Sequence, residues 1–194
     1  MKTPTVAVLL FVVVTSLGAQ QPAAPDNPIT AAFKGRITRL SSNIAQAFDS
    51  IPETIFGYKP TPAQLTIGYI AQHVAEDNYL FCNAFGEMKA DVPADEASTP
   101  DSVKATWPKA KLVTQLKASF DFCDKAMGQV TDASLGQETS MTFRGRTRNV
   151  GRAAMVLGHA LDLADHYSQL ANYMRLNGIL PPTALPRPQR GGGE

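Results

Sequence analysis

The stretch from Asn149 to Pro182 constrains the fold most, because it has the pattern of one long amphipathic helix. At about 100° per residue from Asp162, His166 falls at about 40° and His159 at about 60° around the helix axis. Two imidazoles and a carboxylate therefore share one face with methionine and tyrosine side chains, which usually point into a core. Polar groups on such a face need a partner, so we expect another helix to supply one.

Turn-forming residues predict where this helix and three others begin and end. Asn149 can cap the last helix, and Asn177-Gly178 predicts its end, because glycine adopts the left-handed conformation of a C-cap. Thr61-Pro62-Ala63-Gln64 has the form of a capping box, and Thr106 is the expected cap of the third helix. The predicted helices run from Pro28 to about Pro52, from Thr61 to about Gly86, from Lys109 to about Val130, and from Asn149 to Asn177.

Two connections between the predicted helices are long for a helix bundle. Residues 91–108 are rich in proline, aspartate, serine and threonine, and residues 131–148 carry a short strand-like patch at Met141–Phe143. Most bundle connections are shorter, so these two indicate crossovers. The sequence therefore predicts an all-α protein, a four-helix bundle with long crossover loops.

The first residues have the pattern of a secretory signal peptide. Lys2 supplies a positive charge, Val6–Val14 is a short apolar run, and Thr15–Ala19 is a small-residue region suited to cleavage. The run is shorter than the roughly 20 apolar residues of a transmembrane helix, although an uncleaved anchor remains the alternative. We expect an exported protein, periplasmic or secreted, that leaves the membrane after cleavage. The expected order is signal peptide 1–19, flexible leader 20–27, bundle 28–182 and disordered tail 183–194.

If the protein is exported, its two cysteines can form a disulfide. In an oxidising compartment, Cys82 and Cys123 can form a disulfide, and we expect that bridge. The alternative is a pair of buried free thiols that behave as small hydrophobic residues. Two cysteines are too few for a zinc site built from thiolates alone.

The charge balance argues against two classes of partner. The formal net charge is +1 and 18% of the residues are charged, so the chain offers no basic surface for nucleic acid or an anionic membrane. A small molecule is the expected ligand.

All three histidines lie on two predicted helices, His73 on the second and His159 and His166 on the fourth. A single helical histidine is more often a core or surface residue than a ligand, but this concentration beside Asp162 and Asp77 favours a metal site. His73, Asp162 and His166 would form a two-histidine, one-carboxylate set with open positions, suited to iron, zinc or nickel. His159 could replace Asp162, and Asp77 could be a ligand or could orient the His73 ring.

Two segments resemble the DinB-like superfamily (DinB/YfiT-like) of four-helix-bundle proteins. They are IAQHVAEDNYLF around His73 and ADHYSQLANYMRLNGILPP around His166, and the stretch KLVTQLKASFDFCDKAM with Trp107 resembles that family's third helix. The resemblance covers nearly all of residues 28–182. It implies an up-down-down-up bundle and a divalent ion held at His73, position 162 and His166.

The chain departs from the family pattern at Asp162, where the family usually has histidine. Characterised relatives include enzymes that transfer low-molecular-weight thiols. The first hypothesis is therefore a metal-dependent enzyme, a hydrolase or a thiol-transferase-like protein acting on a small molecule. The second is a non-catalytic binding or structural bundle with a degenerate metal site, dimeric through a bundle face.

Overall fold

Four long helices pack side by side in the computed structural model, which describes residues 26–186. In chain order the elements are α1 (Pro28–Ser50), α2 (Ile67–Gly86), α3 (Ala94–Ser98), α4 (Asp101–Lys104), α5 (Lys109–Met127), α6 (Asp132–Leu135), β1 (Glu138–Phe143), β2 (Arg146–Gly151) and α7 (Arg152–Leu176). Both α1 and α2 pack against α5 and α7, which places α1 and α2 diagonally across the bundle. The predicted four-helix bundle with long crossovers is confirmed, and its up-down-down-up order stays a prediction.

The core lies between the four long helices, each of which buries one apolar stripe. Burying a large aliphatic or aromatic side chain contributes about 1.5–3 kcal/mol, so a few such residues dominate the packing. The largest fully buried side chains include Phe48, Phe85, Ile70, Leu116, Leu163 and Tyr173.

A disulfide joins α2 to α5 inside this core. It links Cys82 and Cys123, whose Cα atoms are 5.2 Å apart, a usual separation for a bridged pair. The disulfide predicted from the sequence is therefore present, and the described chain has no free cysteine.

The second helix begins later than the capping box predicts. The segment Thr61–Gln64 forms an isolated turn, and Thr66 caps α2 instead, because its Oγ1 accepts a hydrogen bond from Tyr69 N at 3.1 Å. The backbone N–H of Gly68 donates to Phe56 O at 2.8 Å. The start predicted at Thr61 was wrong because the preceding connector binds the first turn of α2, and a local capping pattern does not report that contact.

The first long connection contains the short helices α3 and α4 rather than an irregular loop. α5 follows with Pro108 at its N-cap position and no side-chain cap, so the predicted cap at Thr106 was wrong. The hydroxyl of Thr106 instead donates to Val103 O at 2.8 Å at the end of α4. The crossover lies close to α2, because a Cβ added at Gly68 would overlap the Ala105 carbonyl.

The second long connection contains α6 and an antiparallel hairpin. β1 pairs with β2 from Glu138 opposite Gly151 to Phe143 opposite Arg146, so the strand-like patch extends beyond Met141–Phe143. Asn149 lies in β2 opposite Ser140 and does not cap α7, which begins at Arg152. The predicted N-cap was wrong because pairing within the hairpin holds Asn149 in an extended conformation.

The last helix ends where the sequence predicts. Gly178 has a φ of +71°, and Ile179 N donates to Met174 O at 2.9 Å, as in a Schellman motif. Beyond it, Pro182–Ala184 form a 3₁₀ turn, and the Tyr167 hydroxyl donates to Thr183 Oγ1 at 2.9 Å. This turn lies at the bundle boundary predicted at residue 182, which stays a prediction.

Two predicted segments lie outside the described residues, namely the signal peptide 1–19 and the tail from residue 187. Only the last two residues of the predicted leader 20–27 are described. Within residues 26–186, no helix combines the length and the apolar character needed to cross a bilayer.

Candidate metal centre

Two histidines from facing helices meet on one side of the bundle interior. His73 lies in the second turn of α2, and His166 lies in the middle of α7. Their rings stand edge to face with centroids 5.0 Å apart. The packing of α2 on α7 brings the two rings together, and both histidines belong to the ligand set proposed from the sequence.

Asp77 completes a three-residue cluster with these histidines. One ligand atom from each of His73, Asp77 and His166 lies within 4.8 Å of the other two, and His73 Nε2 is 3.2 Å from Asp77 Oδ2. Ligand atoms around a zinc ion lie about 3.3 Å apart for bonds of about 2.0–2.1 Å. Small side-chain rotations would therefore bring all three atoms within bonding distance of one ion.

Asp162 is a further neighbour of His166, with its Oδ1 3.5 Å from His166 Nε2. The structure thus brings His73, His166 and Asp77 together and places Asp162 beside His166. Asp77, which the sequence analysis kept as an alternative ligand, lies closer to the two histidines as a group. Asp162 Oδ2 and His166 Nδ1 are buried and have no hydrogen-bond partner among residues 26–186. Because such atoms are costly to bury, this donor set fits a bound cation.

The charges around the cluster also favour a cation. Burial raises the pKa of Asp77 to about 6, with His73 opposing the shift and Asp162 adding to it. For His166, burial lowers the pKa, but the hydrogen bond and charge of Asp162 outweigh it and leave a net rise. Two carboxylates therefore share one poorly solvated space, and a positive charge between them would stabilise both ionised forms.

His159 lies apart from this cluster, although it shares the same helix. Its ring is buried between Phe81 and Phe85, at centroid distances of 5.8 Å from each, and its Nε2 is 2.8 Å from Asn78 Oδ1. Burial lowers the pKa of His159 to about 4, with the charge of Asp162 opposing the shift, so the ring is neutral at pH 7.

Sequence reasoning missed a buried lysine near the cluster. Lys104 of α4 forms ion pairs with Glu76 and with Asp101, the latter at 3.3 Å, and burial lowers its pKa. Glu76 lies one helical turn from His73, so the crossover carries this amine close to the candidate site. No helical spacing relates α4 to α2, so the ion pair between Lys104 and Glu76 could not be predicted from the sequence.

A cleft of about 700 Å³ opens between the start of α2 and the crossover. Its wall includes Phe56, Trp107 and Tyr69, and the Tyr69 ring packs on His73 with centroids 5.9 Å apart. Tyr69 thus contacts both the cleft and a histidine of the cluster.

Solved structures of two kinds of protein resemble this fold. A DinB-like protein from Bacillus cereus ATCC 10987 aligns with a TM-score of 0.59 at 16% identity, over 78% of this chain and 95% of that one. Mycothiol-dependent maleylpyruvate isomerase aligns with a TM-score of 0.57 at 16% identity, over 73% of this chain but only 60% of the isomerase. No protein-family model and no curated protein sequence matches the chain. At these identities the likeness concerns the backbone arrangement, and it confirms the resemblance at that level: the chain has the fold of DinB-like proteins.

Proposed function

We propose that the chain binds one divalent metal ion at His73, Asp77 and His166 and uses it in chemistry on a small molecule. The observation that carries the proposal is the cluster of three ligand-type atoms within 4.8 Å of one another, beside buried and unpartnered atoms of Asp162 and His166. Two imidazoles and a carboxylate suit zinc, nickel or iron and leave coordination positions open.

The carboxylates of Asp77 and Asp162 would have different roles at this centre. Asp77 would hold the ion together with the two histidines, while Asp162 would orient the His166 ring through its contact with Nε2 of that ring. If Asp162 were the ligand instead, Asp77 would be left as a proton acceptor, because its raised pKa of about 6 lies close to neutral pH. A bound ion would polarise a substrate oxygen or sulfur and lower the pKa of a bound water or thiol.

The cleft beside Tyr69 supports a small-molecule substrate. Its volume of about 700 Å³ lies within the usual range for ligand pockets, and its aromatic wall is typical of them. One structural neighbour is a mycothiol-dependent isomerase, which favours the same class of ligand. A molecule in the cleft would reach the centre past the Tyr69 ring, and we expect Tyr69 to orient it.

The test is the metal content of the full chain and of single variants, measured by elemental analysis at matched pH, because the ligands must be deprotonated. We expect one ion per chain in the parent protein, and its loss in His73→Ala and His166→Ala. Asp77→Asn should weaken the affinity more than Asp162→Asn, which should cost about 10–100-fold as an outer-shell change.

Two matched controls accompany these variants. Asp165→Asn changes an exposed acid on the same helix, which accepts a hydrogen bond from Gln169, and it should leave the metal content unchanged. Asp162→His should retain the ion, because it restores the three-histidine set that the family resemblance implies. Metal retained in His166→Ala, or a parent protein that takes up no metal, would contradict the proposal.

A catalytic metal ion needs an open coordination position, whereas a purely structural ion does not. A cobalt-substituted protein should change its visible spectrum when a small hydroxamate or thiol is added, because the added group enters the coordination sphere. An unchanged spectrum would indicate a closed structural site and the non-catalytic alternative.

We also propose that the protein is exported and acts in the periplasm or outside the cell. The apolar run Val6–Val14 with its small-residue flank and the disulfide between Cys82 and Cys123 support this. The intact mass of protein from its native host should correspond to a chain beginning at Gln20. A full-length mass in the membrane fraction would favour an anchored protein instead.

A further inference from the structure

A second group of metal-ligating side chains lies in the bundle core, away from the first centre. Cys82, Cys123 and His159 each place one ligand atom within 4.8 Å of the others. His159 Nε2 is 4.0 Å from Cys82 Sγ and 3.9 Å from Cys123 Sγ. The three residues come from α2, α5 and α7, so the group lies where three helices meet.

The spacing of these atoms matches a soft divalent ion once the disulfide is open. Around a tetrahedral zinc ion with bonds of about 2.3 Å to sulfur and about 2.0 Å to nitrogen, sulfur and nitrogen lie about 3.6 Å apart. The observed distances from His159 Nε2 to the two sulfurs are only slightly longer. The sulfur atoms would have to separate to about 3.8 Å, which side-chain rotation of the two cysteines can provide.

Neighbouring hydrogen bonds determine which ring nitrogen of His159 carries the hydrogen. Asn78 Nδ2 donates to Ser119 Oγ at 2.8 Å, and that hydroxyl donates to Leu116 O at 2.7 Å. The amide oxygen of Asn78 therefore faces His159 Nε2, which carries the ring hydrogen and donates it across 2.8 Å. His159 Nδ1 has no hydrogen-bond partner in the part of the chain that the structure describes, so the hydrogen can move to Nδ1 and leave Nε2 free to bind an ion.

We propose that Cys82, Cys123 and His159 form a second, redox-gated metal site that is closed by the disulfide and binds zinc or a similar soft divalent ion when the disulfide is reduced. The fourth ligand is Asn78 Oδ1 or a water molecule. This site is independent of the proposed function, because no residue of the first cluster takes part in it.

The chemistry balances without any group outside the site except the reductant and the ion. A dithiol transfers two electrons and two protons to the bridge, leaving two cysteine thiols and the disulfide of the reductant. Zinc then displaces the two thiol protons, while the neutral imidazole keeps its single hydrogen on Nδ1. Cys123 lies in the wall of a cavity of about 390 Å³ between α1 and α5, and this is the side from which we expect a reductant to approach the bridge.

The test uses the full-length His166→Ala variant, which removes the first centre, so that failure of either proposal is seen separately. The protein is reduced with a phosphine, which takes an oxygen from water as it is oxidised, and is freed of excess reagent without air. Cobalt(II) and zinc(II) are the probes. We expect one cobalt ion per reduced chain with intense near-ultraviolet thiolate-to-cobalt absorption, and none in the oxidised chain.

His159→Gln is the decisive variant, because it keeps both cysteines and a polar side chain at the buried position. It should lower the cobalt affinity of the reduced protein by more than the roughly 10–100-fold that loss of an outer-shell partner costs. Zinc should also slow alkylation of the two thiols in the reduced protein but not in reduced His159→Gln.

Three outcomes would overturn the proposal. They are a reduced protein that binds no cobalt, equal binding by reduced His159→Gln, and binding that occurs only after the circular dichroism of the helices has been lost.

Discussion

Asn27 and Asp132 each cap the start of the helix to which the other belongs. Asp132 Oδ1 accepts a hydrogen bond from Thr30 N at 2.7 Å, and its Oδ2 accepts one from Ile29 N at 3.1 Å. In return, Asn27 Oδ1 accepts a hydrogen bond from Asp132 N at 2.9 Å. This pair ties the first turn of α1 to α6.

Replacing Asp132 should therefore destabilise the start of α1, although Asp132 lies about a hundred residues later in the sequence. Asp132→Ala leaves two N–H groups of α1 without their acceptor and should cost about 1–2 kcal/mol, as loss of an N-cap does. Asp132→Asn keeps one acceptor oxygen and should cost less. Urea unfolding at pH 7 measures both changes, and equal free energies for the two variants would contradict this account.

Gly86 should be intolerant of even one methyl group. A Cβ at this position would lie 2.6 Å from Ala126 Cβ and 2.9 Å from Ala126 Cα, so Gly86→Ala would force α2 and α5 apart. We expect a loss of about 1–3 kcal/mol. Gly35→Ala is the matched control: it lies in α1 with open space around the added Cβ and should stabilise the protein by about 0.5–1 kcal/mol. Thermal unfolding of the two variants should shift in opposite directions.

The buried His159 predicts a particular dependence of stability on pH. Its pKa is about 4 in the folded protein, against an ordinary value of 6.5, so between these values the unfolded chain binds more protons. The free energy of unfolding must then fall as pH drops from 6.5 towards 4, by on the order of 3 kcal/mol from this residue.

The His159→Gln variant isolates that contribution, because other titrating groups affect both proteins alike. Urea unfolding with a chelator present should show a larger difference between parent and variant at pH 7 than at pH 4.5. A difference that does not change with pH would mean that His159 is solvated or already protonated in the folded protein.

The disulfide should contribute about 4 kcal/mol, the chain-entropy value for a closed loop whose cysteines are 41 positions apart. Cys82→Ala/Cys123→Ala should lose about that amount, and the parent should lose it on reduction in the presence of a chelator. Intact mass after alkylation without reductant tests the bridge itself, since two labelled cysteines in protein from an oxidising compartment would contradict it.

The fold could be predicted from the sequence because apolar residues recur at helical spacing and the main breaks are marked by proline and glycine. The end of α7 at Gly178 is such a case, since its left-handed backbone is a local property. The starts of α2 and α7 could not be predicted, because Gly68 is held by the preceding connector and Asn149 is held by its partner strand. Those contacts join segments whose pairing no short pattern reveals.

The sequence indicated which residues could form the candidate site, but not how they are arranged in space. His73 and His166 were proposed as ligands because all three histidines lie on two predicted helices, beside carboxylates at helical spacing. The choice between Asp77 and Asp162 depends on how far α7 is rotated against α2, and helical spacing leaves that angle open. The position of Lys104 beside Glu76 could not be predicted, because no periodic pattern in the sequence indicates how the crossover packs on α2.

The disulfide has a consequence for the crossover that it spans. Because Cys82 and Cys123 join α2 to α5 directly, a protease cut anywhere between Gly86 and Lys109 would leave a single covalent molecule. The nicked protein should migrate as one species on a non-reducing gel and as two after reduction. Once the disulfide has formed, the crossover is therefore not needed as a covalent link between the two helices, and its contacts with α2 rather than its continuity hold it in place.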